Sequence, residues 1–246
     1  VRRALILPAL LAFSMAAAAT PDPPVEKIID DYVAARGGLA KIKALQTLRQ
    51  KGHVYADGGR EAIVLRELKR PGKIRFEFTL QGMTGVYVVE NGRGWQVAPF
   101  EGDMQARPMP EEAVVDAMEQ VDLEGPLVDW KAKGHRVELA GHERVGGKDA
   151  YKIKITLKSG VVRYEYVDVA THHQLRTDTT RKFSGRELSI VTTFSGHKKT
   201  DGLLFPRSVE VTTEGRPQKL RVSIDSIEVN PALSDDRFRR PKSVDQ

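Results

Sequence analysis

Outside two segments, the chain alternates apolar and polar residues with a period of two. In KIRFEFTL, Ile74, Phe76, Phe78 and Leu80 share one face, while Arg75, Glu77 and Thr79 take the other. YKIKITLK sets Tyr151, Ile153, Ile155 and Leu157 against Lys152, Lys154, Thr156 and Lys158. RELSIVTTF repeats the device with Leu188, Ile190 and Phe194, blurred by Val191. Neighbours on a strand point to opposite faces, so such runs predict antiparallel strands with one apolar and one wet face. Turn steps separate them at Asp57-Gly58-Gly59, Pro71-Gly72, Asn91-Gly92, Gly146-Gly147, Ser159-Gly160, Ser184-Gly185, Asp201-Gly202 and Glu214-Gly215. Short loops of this chemistry join hairpins, and they predict about ten or eleven strands in meander order.

The two exceptions read as helical. In PDPPVEKIIDDYVAARGGLAKIKAL, Asp22 is placed to cap, and Val25, Ile28, Ile29, Tyr32 and Val33 form one stripe. Gly37 and Gly38 interrupt it before a short turn bearing Leu39, Ile42 and Leu45. In PEEAVVDAMEQVDLEGPLVDWKAKG, Pro110 and two acids suit a helix N-terminus, with Val114, Val115, Met118 and Val121 on one side. The class is therefore mainly β with a few helices.

A sheet of that width exposes a broad apolar face and tends to curl or split. Two half-sheets can cover each other as a sandwich. Alternatively, one curved antiparallel sheet, an incomplete β-barrel, is partly covered on its concave side by helices. The uncovered part is then a lined cavity suited to an apolar ligand. Periodicity alone does not separate these two architectures.

The first twenty residues, VRRALILPALLAFSMAAAAT, change the setting. Arg2 and Arg3, an apolar run and an Ala-x-Ala ending have the layout of a secretory leader. Residues 1–19 are thus expected to be removed, leaving residues 20–246 as one exported domain. With no cysteine there is neither a disulfide framework nor a site for an acyl anchor. The net charge of +6, from 39 basic and 33 acidic residues, forms no basic stripe with interleaved aromatics, so nucleic acid is not the expected partner.

Catalytic patterns are weak, and an enzyme is not expected. His172-His173, read as neighbours on a strand, would face opposite ways and could not share a metal ion. Glu111, Glu112, Asp116, Glu119, Asp122 and Glu124 fit a solvated helix face better than paired catalytic carboxylates. No phosphate-cradling glycine loop or nucleophile elbow occurs, so no cofactor or metal is called for. The segment from Pro99 to Met118 differs in kind. It carries Met104, Met109 and Met118, flexible side chains that repack against varied apolar partners. An irregular Met-bearing stretch beside a concavity has the properties of a lid.

Lys69-Arg70-Pro71, then Asn91-Gly92-Arg93, Trp95 and Pro99-Phe100 follow in an order and spacing that resemble the periplasmic lipoprotein carrier family (LolA/LolB-like). DDRFRRPKSV near the end resembles that family's terminal Phe-x-x-Pro, and RGGLAKIKALQTL is similar to more distant outer-membrane lipoprotein-sorting proteins. The resemblance is best over about residues 47–125. It implies a LolA-like half-barrel whose apolar interior carries lipoprotein acyl chains, or another lipid, through the periplasm. The implied partners are a transient inner-membrane donor and an outer-membrane acceptor, with the carrier a soluble monomer. The greater length and basicity of this chain leave the cargo open among lipoprotein, glycerolipid, isoprenoid and other amphiphiles.

Taken with the alternation, Phe76, Phe78, Leu80, Trp95, Met118, Ile153, Ile155, Leu157, Leu188 and Ile190 are the expected lipid-binding residues. Arg70, by resemblance, would latch the lid by donating to backbone groups of the Pro99–Met118 segment. A periplasmic sensing or interaction module on the same half-barrel is the alternative function.

Overall fold

A computed structural model of the protein describes residues 22–56, 60–183, 186–215 and 219–242. The expected leader, residues 1–19, and the turn steps at 57–59 and 184–185 lie outside the described residues. The strands β1 (Thr47–Ala56), β2 (Arg60–Lys69), β3 (Lys73–Leu80), β4 (Met83–Glu90), β5 (Arg93–Ala98) and β6 (Asp103–Pro108) run as one antiparallel meander. A second series holds β7 (Arg136–Val145), β8 (Lys148–Thr156), β9 (Val162–Asp168), β10 (Gln174–Phe183) and β11 (Arg186–Ser195). After a small separate hairpin of β12 (Lys198–Thr200) and β13 (Leu203–Phe205), it ends with β14 (Ser208–Thr213) and β15 (Leu220–Val229). Antiparallel pairing of β1 with β15 fuses both series into one curved sheet, with β6 and β7 at its two ends. It does not close into a barrel.

That sheet has 13 strands, more than the ten or eleven read from turn spacing. Gln81 and Gly82, both at positive φ, reverse the chain between β3 and β4 without a conspicuous turn signature. The stretch EGDMQARPMP also departs from the irregular path expected of it. Residues Asp103–Pro108 add β6 to the free edge of β5, where a proline is tolerated.

Helix α1 (Val25–Ala35) lays Ile28, Ile29 and Tyr32 onto Tyr151, Ile153, Ile155 and Val167. The apolar stripe read from the sequence is the face that packs. Asp22 does not cap this helix. Pro24 holds the cap position, while the Asp22 carboxylate lies 2.8 Å from Nε2 of His142. Helix α2 (Leu39–Ala44) follows the turn at Gly37, where a Cβ would come within 2.4 Å of the Gly202 carbonyl oxygen. Its Ile42 joins Leu45, Leu48, Leu68, Ile74 and Val89 in a second core.

The convex side is covered near β4 by the C-terminal stretch, where Leu233 and Phe238 pack on Val86 and Val88. Arg49 and Arg237 both bond the fully buried carboxylate of Glu67, and Lys69 and Lys73 both reach Asp235. His172 and His173 lie in the turn between β9 and β10, not on a strand as expected. The His173 ring is 5.0 Å from that of His197, just before β12. Burial, aided by the nearby His173 and Lys148, pushes the His197 imidazole down to about 4.

Removing methylenes at Ile153, which has no exposed surface beneath α1, leaves a hole the rigid sheet cannot fill. Ile153→Ala should cost about 2–5 kcal/mol, read as a lower urea midpoint with unchanged slope. His197 should produce an acid effect. Its pKa is lower folded than unfolded, so its stabilising contribution is complete above about 6.5 and is lost as the pH falls towards 4. Urea midpoints measured across that window should fall less steeply for His197→Gln than for the wild type.

Candidate functional site on the concave face

The concave face begins with an aromatic wall. Phe76 and Phe78 stand opposite Tyr87 and Gly85 on β4. The Phe78 ring stacks 5.8 Å from Tyr87 and 4.9 Å from Phe100. Gly85 makes this possible, because a Cβ there would lie 2.4 Å from the Phe78 ring. Burial raises the Tyr87 phenol above its ordinary pKa. Beyond this wall, Leu80, Leu188 and Ile190 are half-buried, and none joins the cores under α1 or α2. The intervening strands continue the apolar strip through Val54, paired with Ala62 and Val222, and Val222, paired with Val209.

Helix α3 (Glu111–Gln120) lies against this face and buries none of its residues fully. On one flank it rests directly on β5. A Cβ on Gly94 would be 2.6 Å from Val114 and 2.8 Å from the Met109 sulfur. On the other flank it is held by charge. Arg181 donates to Asp116 and, at 3.1 Å, to Glu119, while Nη2 of Arg66 donates to the Gln120 carbonyl at 3.0 Å. Space remains around the helix. A cavity of about 840 Å³ separates Met118 and Val114 from Leu157, and one of about 900 Å³ opens towards Val162 and Thr180. A third, of about 360 Å³, lies between Phe76, Tyr87 and Ala117.

The expected site residues divide into groups. Phe76, Phe78, Leu80, Leu188 and Ile190 lie on the concave face, and Met118 and Leu157 border the 840 Å³ cavity. Ile153 and Ile155 are sealed beneath α1, with no surface left for a ligand. Trp95 pairs with Val88 and shares its convex face, with the Arg240 guanidinium 4.7 Å from the ring centre. Trp95 also borders the 840 Å³ cavity.

Arg70 does not reach the Pro99–Met118 segment. It donates to the Leu45 carbonyl at 2.7 Å and to Glu124 at 2.9 Å, fastening α2 to the chain that follows α3. Burial opposes ionisation of Glu124, yet hydrogen bonds from Lys43 and Arg70 hold its carboxyl below the ordinary pKa. Arg66 and Arg181 make the contacts to α3 instead. The sequence carries a signal for Arg66, since it interrupts the apolar row Val64, Leu68 on one face of β2.

Among the described residues no group of three or more His, Asp or Glu side chains is placed to hold a metal ion. No described helix is long and apolar enough to cross a membrane.

No protein-family model matches the chain, and no curated protein matches it in sequence. Solved structures do. A DUF1329 family protein from Desulfovibrio piger superposes with a TM-score of 0.61 at 17% identity, covering 89% of this chain and 98% of the other. A LolA superfamily protein from Nitrosomonas europaea gives 0.56 at 11% identity, covering 89% and 99%. A putative outer membrane lipoprotein-sorting protein domain from Vibrio parahaemolyticus gives 0.56 at 10% identity, covering 86% and 94%. The open sheet, the helices against it and these superpositions agree: the chain has the LolA-like fold.

Proposed function

We propose that the protein is a non-catalytic carrier in the periplasm, sheltering the acyl chains of a lipoprotein or other lipid between its concave sheet and α3 for transfer to the outer membrane. The observation that carries this reading is the seating of α3. The helix stands over an apolar face with cavities around it, its Val114, Ala117 and Met118 packing there only in part while Arg181 and Arg66 tie its other flank. A core helix would bury an apolar stripe, as α1 does. A helix that buries no residue fully and is tied by part-exposed ion pairs can move aside at a smaller cost than a core helix. The secretory leader read from the sequence and the fold shared with a lipoprotein-sorting domain support the same cargo class, the latter by analogy of fold.

The physical need for cover is large. Each methylene removed from water is worth ~0.8 kcal/mol, so a chain of about fifteen carbons gains roughly 12 kcal/mol. A carrier has only to match a membrane approximately and release where the receiver offers slightly more. Nothing in that exchange requires bond chemistry.

Two measurements test the proposal. Mass spectrometry of organic extracts from envelope-derived protein, purified without detergent, should show a co-purifying lipid. Lipid-free protein that also takes up none from vesicles would remove the carrier reading. Arg181→Leu should free one flank of α3 at a cost of roughly 1–2 kcal/mol, because both ion pairs are partly exposed. Hydrogen exchange over residues 111–120 should then accelerate about tenfold while β8 and β9 keep their protection. Unchanged exchange would show that the ion pairs do not hold the helix.

A further inference from the structure

Beneath the C-terminal end of α3 lies a cavity of about 320 Å³ whose character differs from the rest of the concave face. Four guanidinium groups border it: Arg36, Arg66, Arg163 and Arg181. The carboxylates on its wall are already engaged. Glu119 pairs with Arg181, Asp122 with Lys133, and Glu165 with Arg163 while also accepting from Thr177 and Gln174. Arg36 and Arg66 have no carboxylate partner among the described residues. Arg36 donates to the carbonyls of Leu123 and Glu124, and Arg66 to Gln50 and the Gln120 carbonyl. Moreover, the Nε–H groups of Arg66 and Arg163 are shielded from solvent without an acceptor. Burial pushes the Arg66 guanidinium down to about 10, the direction expected of a cation lacking a counter-charge.

An unpaired buried donor is costly, and an unpaired buried charge more so. Two shielded donors without acceptors, with two half-buried guanidinium groups lacking a carboxylate, around one cavity describe a place prepared for an acceptor that carries negative charge. Position gives that acceptor a context. Arg66 is the direct cross-strand partner of Phe76, so the basic cavity and the aromatic wall share adjoining positions on the concave face. A molecule with an anionic end and an apolar chain would find both within its own length.

We infer that this arginine-lined cavity binds the anionic headgroup, phosphate or carboxylate, of the amphiphile whose chain occupies the concave face. The inference rests on the carrier reading for its apolar half. Guanidinium suits the task, since its planar fork offers paired donors to either oxyanion and keeps its charge when desolvated. The headgroup would also sit against the Arg66 and Arg181 contacts that hold α3. Anion binding would then compete for the same donors.

The test compares two lipids that differ only in the anion. 1-Oleoyl lysophosphatidate and 1-oleoylglycerol, each below its aggregation concentration, are titrated by calorimetry into the lipid-stripped full-length protein. The wild type should prefer the phosphate-bearing lipid by roughly tenfold or more, as charge-assisted bonds require. Arg66→Gln should bring the two affinities within about twofold of each other, and Arg36→Gln should act in the same direction should Arg66→Gln not fold. Equal affinities in the wild type, or a preference untouched by either substitution, would overturn the inference. Should neither lipid bind, the carrier reading fails by itself, and inorganic phosphate decides the remainder. Thermal protection by phosphate in the wild type but not in Arg66→Gln would keep the anion site as one for a free ion, and no protection would remove it.

Discussion

Everything placed on the concave face depends on the ladder between β1 and β15. Each strand series alone would be a meander with two bare edges and an apolar face open to water. The ladder joins strands from opposite ends of the chain and sets Val54 beside Val222 and Gln50 beside Ile227. It thereby brings Arg66, from the first series, and Arg181, from the second, to the same helix. Gly52 is part of the cost of this joint. A Cβ there would lie 1.9 Å from the Ser223 carbonyl oxygen, and the register shifts between Lys51 and Gly52. The bulge bends the strand and increases its twist. Curvature at the seam turns a wide sheet into a trough.

A trough of this width cannot be covered by two short helices, and the chain solves the problem unevenly. Helix α1 closes the β8 side with a dry apolar contact, as Ile153 and Ile155 show. Helix α3, carried on the segment that links the two ends of the sheet, covers the β3–β5 side with space left around it. One side of the concavity is core and the other keeps open cavities. That division follows from which helix has an apolar stripe wide enough to bury.

Much of this arrangement is legible in the amino-acid sequence. Alternation in KIRFEFTL and RELSIVTTF groups Phe76 with Phe78 and Leu188 with Ile190, because period two fixes which residues of a strand share a face. It does not fix which side of the sheet that face is. In β4 both faces are apolar, Val86 and Val88 outward and Tyr87 and Val89 inward, since the C-terminal stretch covers the outside. Trp95 follows the outward row for that reason. Motif position assigns Arg70 to the lid, yet its donors are used by α2, which sits much closer in space than that analogy implies. The cationic cavity is hidden for a different reason. Its four arginines come from the chain after α1, from β2 and from the neighbouring strands β9 and β10, and the β1–β15 pairing brings the first series to the second.

The Glu67 knot on the convex side gives the molecule a mechanical polarity. Arg49 from β1 and Arg237 from the C-terminal stretch meet on one carboxylate with no solvent exposure, and breaking a buried ionic cluster of this kind is strongly unfavourable. The outer wall of the trough is therefore clamped across strands β1 and β2 through a carboxylate that water does not reach. The corresponding clamps on the inner side join Arg181 to the part-exposed carboxylates of Asp116 and Glu119, and yield more easily. Deformation imposed from outside, by a membrane surface or a docking partner, would be absorbed by the inner helix while the shell keeps its shape.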